Sequence, residues 1–182
     1  LDYSAAVKRS RQVSDRLTRG VGFLMKKNNI TVVMGSARLL NASTVQVTSP
    51  DGNVHELGAE NIVIATGAKP AVIPGIKVDG EKVLTYREAI LQERLPKSVV
   101  IIGAGAIGLE FATVWSAYGS LVTIVEMLPT VAPMEDAEVS TELAKSLTMR
   151  GIKIHVDTRV KAVTPTSDGI RVTIENSEGE SI

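Results

Sequence analysis

Val13, Leu17, Val21 and Leu24–Met25 recur at three- and four-residue spacing within residues 1–30, with Arg and Lys between them. That is the pattern of an amphipathic helix. Gly20 and Gly22 weaken it by about 1 kcal/mol each relative to Ala, so packing must hold that end. Short strand patterns follow at Thr31–Met34, Arg38–Leu40, Thr44–Thr48 and Asn53–Leu57. Ser49-Pro50-Asp51-Gly52 joins the last two, with Pro and Gly at positions suited to a hairpin turn. Ile62–Ala65 is continuously apolar, which predicts a strand buried on both faces, and it ends at Thr66-Gly67.

Residues 68–80 carry Pro70, Pro74, Gly75 and Gly80 and read as a linker. Thr85 and Glu88 have the spacing of a capping box for a short helix. Val99–Ile102 is another fully apolar strand, and a helix over Ala106–Tyr118 stops at Gly119. Leu121–Glu126 is the next strand. Asp136–Arg150 predicts an amphipathic helix on Val139, Leu143 and Leu147, closed by Gly151. The tail alternates as strands at Lys153–Asp157, Val160–Thr164 and Ile170–Glu175, with turns at Ser167-Asp168-Gly169 and Asn176–Gly179.

Composition narrows the function classes. The 182 residues are 44% apolar and 22% charged, enough for a core and against disorder. Aromatics are 3%, so aliphatic side chains must fill that core. Twenty basic and twenty acidic residues cancel, which argues against a general nucleic-acid binder. Residues 1–30 hold seven Lys or Arg and two Asp, a solvated helix face or a docking surface for an acidic partner. There is no cysteine, which removes disulfides, thiolate metal sites and thiol redox chemistry carried by this chain. His55 and His155 stand alone on strand patterns, so no metal site is expected. The longest apolar run, Val99–Leu109, is broken by three glycines and is shorter than a membrane span of ~20 residues. Leu1 at the start and Ser181-Ile182 closing mid-pattern suggest a piece of something longer.

Candidate chemistry lies in Val99-Val-Ile-Ile-Gly103-Ala104-Gly105-Ala106-Ile107-Gly108-Leu-Glu110. A G-x-G-x-x-G spacing alone is weak, but here it follows an apolar strand and opens a helix, the context required for dinucleotide binding. Gly103 permits the tight turn, Gly105 lets a pyrophosphate approach the helix N-terminus, and Gly108 allows close helix–strand packing. Glu126 ends the next strand, 23 positions after Gly103, where a carboxylate can accept the adenosine ribose hydroxyls. It would repel a 2′-phosphate, so NAD(H) is expected over NADP(H).

These segments, with Leu17-Thr-Arg-Gly-Val-Gly-Phe-Leu-Met-Lys-Lys-Asn28 and Ile62-Val-Ile-Ala-Thr-Gly67-Ala-Lys-Pro70, resemble the pyridine nucleotide–disulfide oxidoreductases over nearly the whole chain. Within that family the upstream helix motif is similar to the dihydrolipoamide dehydrogenases rather than to glutathione-type or mercury-type reductases. The resemblance implies an α/β fold, with a Rossmann-like NAD-binding domain of parallel sheet plus antiparallel meander. It divides the chain at residue 70: residues 1–70 as the later, incomplete part of an FAD domain, and residues 71–182 as the NAD domain without its last strand. It further places Ala104, Ala106 and Ile107 with the three glycines on NAD, Glu110 toward the nicotinamide and Val160 toward the adenine. Gly35 and Ala37 would lie near the FAD adenine, and Thr66 and Gly67 near the flavin.

The departures matter equally. An FAD-binding glycine fingerprint, the C-x-x-x-x-C redox pair, the later flavin motif and the His–Glu acid/base pair are all absent from these 182 residues. No catalytic residue is therefore assigned, and the chain alone is expected to be inactive and to retain no FAD. The intact enzyme would be a cytoplasmic or mitochondrial-matrix homodimer. It would serve the lipoyl domains of 2-oxo acid dehydrogenase complexes, with no nucleic-acid or membrane partner. The other readings are a segment of a flavin-dependent NADH oxidase or mercury-type reductase, and a non-catalytic NAD-binding module.

Overall fold

Helix α1 (Tyr3–Lys27) opens the computed structural model, which describes residues 1–71, 73–177 and 179. The Asp2 carboxylate accepts the Ala5 N–H at 2.9 Å and starts the helix. Lys26 and Lys27 occupy its last turn, where cations suit the helix dipole. Asn29 then turns into the left-handed region at φ 55° and the Ile30 N–H returns to the Met25 carbonyl at 2.9 Å.

The described chain forms two compact units, one of Leu1–Ser10 with Pro70–Ile182, the other of Arg11–Lys69. The first turns of α1 thus pack with the later residues. Tyr3 and Val7 are buried, and the Trp115 indole N–H donates to the Tyr3 hydroxyl at 2.8 Å. Tyr118 meets the Tyr3 ring edge-on at 5.3 Å. These rings join the helix end to the buried core through Tyr3, Val7 and Trp115.

The Arg11–Lys69 unit contains an antiparallel meander of β1 (Ser36–Asn41), β2 (Thr44–Thr48) and β3 (Val54–Gly58), in that order. Its second turn closes through the Gly52 N–H to the Ser49 carbonyl at 2.9 Å, with Gly52 at φ 86°. Two expected strands are corrected. Thr31–Met34 and Ile62–Ala65 belong to no ladder among the described residues. Val63 and Ile64, expected to be buried on both faces, are 87% and 70% exposed. Continuous apolarity reports a preference for burial, whereas a strand also requires a partner for its backbone.

The other unit is an α/β assembly. Its parallel sheet has the order β4 (Ser98–Ile102), β5 (Leu121–Val125), β6 (Lys153–His155), connected through α3 (Ala106–Tyr118) and α4 (Ala137–Met149). Ile101 registers with Ile124, and Ile124 with Ile154. Ile124 is fully buried with Leu109, Ala112, Trp115, Leu147 and Ile152 around it. Gly119 at φ 102° and Gly151 at φ 85° end the two helices. Thr85 and Glu88 cap the single-turn α2 (Tyr86–Ala89) reciprocally. The ribbon β7 (Thr158–Pro165) and β8 (Ile170–Asn176) completes the unit, with a bulge between Val160 and Ala162.

The turn at 166–169 is closed by the Thr166 N–H to the Gly169 carbonyl at 3.0 Å. That at Asn176–Gly179 has the Gly179 N–H on the Asn176 carbonyl at 3.1 Å, while Glu178 lies outside the described residues. On α4 the expected stripe is rotated by one position: Val139 is 57% exposed and Ser140 is fully buried beside Leu143, Ala144 and Leu147. No described helix is long and apolar enough to cross a membrane.

Candidate functional site

Strand β4 runs straight into the glycine-rich turn. The Gly103 N–H donates to the Val125 carbonyl at 2.9 Å, so the turn is anchored on β5 before it reverses. Gly103 takes φ 101°, a conformation that side chains resist. Gly105 caps α3 in an extended conformation with no side-chain hydrogen bond, and no acidic residue stands in the first turn. A methyl group at Gly105 would meet nothing within 4 Å, whereas one at Gly108 would collide with the Gly103 carbonyl oxygen. The same methyl would come within 3.2 Å of Ile101 Cγ2. The helix start therefore lacks a side-chain cap, carries no acidic residue in its own first turn and is open in front of Gly105, features that suit a pyrophosphate.

Glu126, one residue past β5, is buried at 6% exposure and is tied to this turn. One carboxylate oxygen accepts the Ala104 N–H at 2.7 Å and the other accepts the Leu128 N–H at 2.8 Å. Its own N–H donates to the His155 carbonyl at 2.8 Å, and its carbonyl accepts the Thr158 N–H at 2.9 Å. The start of β7, and with it half-buried Val160, is thereby held near the end of β5. Each carboxylate oxygen keeps a second lone pair that can accept a hydroxyl.

The residues selected from the sequence do not all meet. Gly103, Ala104, Gly105, Ala106, Ile107, Gly108 and Glu126 converge on the turn. Glu110 lies one turn further along α3 and is exposed. Gly35, Ala37, Thr66 and Gly67 belong to the Arg11–Lys69 unit. There Gly35 leaves no room for a side chain against the Thr48 carbonyl, Ala37 pairs with Val47, and Gly67 takes φ 74°. His55 is exposed on β3 and His155 half-buried at the end of β6, and no described cluster of His, Asp or Glu could hold a metal ion.

Sequence reasoning missed Ala132, Ser140 and Thr158. Ala132 sits at φ 45° and donates its N–H to the Ala104 carbonyl at 2.9 Å. Its own carbonyl accepts the Ser140 hydroxyl at 3.1 Å. The one available signal was Ser140 itself, a hydroxyl spaced three and seven residues from Leu143 and Leu147.

The pyridine nucleotide-disulphide oxidoreductase family profile matches residues 2–182. A dihydrolipoyl dehydrogenase of Chlorobaculum tepidum is 42% identical over 183 residues, covering 100% of this chain and 39% of that protein. One from Mycobacterium leprae is 44% identical over 176 residues, covering 95% and 38%. The structure of LpdA from Mycobacterium tuberculosis superposes with a TM-score of 0.88 at 25% identity, over 100% of this chain and 40% of that one. RclA, an HOCl-induced flavoprotein disulfide reductase from Escherichia coli, gives 0.81 at 26% identity, over 100% and 41%. The chain thus spans about two fifths of the length of the curated relatives it matches.

Proposed function

The chain belongs to the pyridine nucleotide-disulphide oxidoreductases, and from that premise we propose that it is the NAD-binding part of a dihydrolipoyl dehydrogenase, joined to a segment of the FAD domain. The observation that carries this reading is the open, uncapped start of α3 bonded through Ala104 to the buried Glu126. In this reading the backbone of Gly103–Gly108 cradles the pyrophosphate, and Glu126 accepts the adenosine ribose hydroxyls. Val160 borders the adenine and Glu110 faces the nicotinamide end. Bound NAD supplies the hydride acceptor, and the chain's own residues orient it. Gly35, Ala37, Thr66 and Gly67 would contribute to FAD in the complete protein.

The complete enzyme would pass electrons from dihydrolipoamide through a disulfide and FAD to NAD. It would act as a cytoplasmic homodimer engaging lipoyl domains. The 182 residues contain no cysteine, so the disulfide must come from elsewhere in such an enzyme. Names of relatives over 95–100% of the chain support the assignment.

The cofactor choice follows from charge. A 2′-phosphate placed beside the Glu126 carboxylate would meet a like charge, and residues 127–135 contain no Lys or Arg to offset it. Titration with NADH and NADPH tests the reading. NADH is expected to bind at least about tenfold more tightly, since tenfold is about 1.4 kcal/mol and like-charge juxtaposition costs several kcal/mol. Equal affinity, or no binding of either, would overturn it.

A further inference from the structure

We propose that Ser140 is a positioning residue for the dinucleotide site: its hydroxyl holds the loop after β5 in the conformation that fixes the glycine-rich turn. The inference rests on the reading of that turn as an NAD site, and it concerns a residue outside the fingerprint. Ser140 is fully buried on α4, where the neighbouring pattern of Leu143, Ala144 and Leu147 calls for an apolar side chain. A buried hydroxyl on an apolar face is costly unless it is bonded. Here the Ser140 Oγ donates to the Ala132 carbonyl at 3.1 Å.

Ala132 is where that bond has leverage. At φ 45° it occupies the left-handed region, which costs a residue with a Cβ roughly 1 kcal/mol or more. Three hydrogen bonds hold it there. Its N–H donates to the Ala104 carbonyl at 2.9 Å, and its carbonyl accepts both Ser140 Oγ and the Glu135 N–H at 2.9 Å. Ala104 has no exposed surface and also donates its N–H to Glu126 at 2.7 Å. The backbone of Ala104, central to the turn, is therefore gripped from two sides: its N–H by Glu126 just past β5 and its carbonyl by the loop that Ser140 secures.

A phosphate-binding turn works only if its N–H groups already point outward before the ligand arrives, since ordering them on binding costs affinity. Removing the hydroxyl leaves Ala132 with one carbonyl partner fewer and lets it relax toward an ordinary conformation. The Ala104 carbonyl then loses its donor for part of the time. The consequence falls on the turn rather than on the core, because Ala fills nearly the same volume as Ser.

The test compares Ser140→Ala and Ser140→Thr with the unaltered chain, by amide hydrogen exchange without nucleotide and by NADH titration. Ser140→Ala should speed exchange at the amides of Ala104 and Ala132 and weaken NADH by roughly threefold to tenfold, the range one neutral hydrogen bond commands. Ser140→Thr keeps the hydroxyl and should restore both. A purely structural serine would instead lower the melting temperature and leave NADH affinity at lower temperature unchanged. If Ser140→Ala matched the unaltered chain in exchange and affinity, or if Ser140→Thr lost as much as Ser140→Ala, the inference would be overturned by itself. Failure of the unaltered chain to bind NADH would overturn the dinucleotide reading and this inference together.

Discussion

Gly105 and Gly108 of the glycine-rich turn differ in the space around them, and substitutions should separate their roles. Gly108 lacks space, because its Cβ would strike backbone at Gly103. Gly108→Ala should destabilise the unit by about 1–3 kcal/mol, the cost of overpacking against atoms that cannot swing away, read as a lower melting temperature. Gly105 has open space, so Gly105→Val should leave the circular dichroism spectrum largely unchanged while abolishing NADH binding, because its branches would fill the pyrophosphate's place. Normal NADH binding by Gly105→Val would put the phosphate turn elsewhere.

Asp79 offers a pH test at the same scale. Its carboxylate accepts the N–H groups of Val83, Glu81 and Lys82 at 2.8–2.9 Å, and these bonds, Val83 first, hold its pKa below the ordinary 3.8. A depressed carboxylate stabilises the fold at pH values above its unfolded pKa and loses that contribution as pH falls through the folded one. Protection of the Glu81–Val83 amides should therefore hold above pH ~4 and fade below it. Asp79→Asn should lack this transition.

At the scale of elements, local signals were the legible ones. The limits of α3, the Gly119 and Gly151 stops and the Thr85–Glu88 box each depend on a few adjacent residues, and each could be read directly from the chain. Partners distant in sequence could not. Nothing near Tyr3 indicates that its hydroxyl meets Trp115, 112 positions away. Nothing near Ile62 reveals whether a neighbouring strand exists to pair with it. The α4 stripe failed more narrowly: Val139 and Ser140 differ by one step, and hydrophobicity favoured the residue that faces outward. In the candidate site, spacing singled out the glycines and Glu126, which the fold joins through the Ala104 N–H, whereas the contacts of Ala132 with Ala104 and Ser140 use backbone atoms and a serine and leave no such pattern.

The docking of α1 can be tested through the chain's single tryptophan. Tyr3→Phe would leave the buried Trp115 N–H without its acceptor, a loss of about 1–3 kcal/mol. A matching drop in unfolding free energy, with a shift of the tryptophan emission, is expected. Unchanged stability and emission would mean that the helix end is held by Val7 and the ring contacts alone.

For the whole molecule, the Arg11–Lys69 unit carries the larger hazard. Leu17, Val21, Phe23, Leu24, Val32, Val63 and Ile64 are each more than half exposed. Unpaired extended segments and apolar patches of this kind recruit other chains. The 182-residue chain should therefore self-associate in sedimentation, with weak amide protection at residues 31–34 and 62–65. A strictly monomeric chain with uniform protection would contradict this.

Hydrogen-exchange mapping of the NADH footprint distinguishes a dinucleotide site at the glycine-rich turn from one elsewhere. Added NADH should slow exchange at residues 103–109 and 126–128 and at the start of β7 through Val160, leaving the Arg11–Lys69 unit unchanged. Protection confined to the neighbourhood of Gly35–Ala37 and Thr66–Gly67, or no protection at saturating NADH, would contradict a dinucleotide site at the glycine-rich turn.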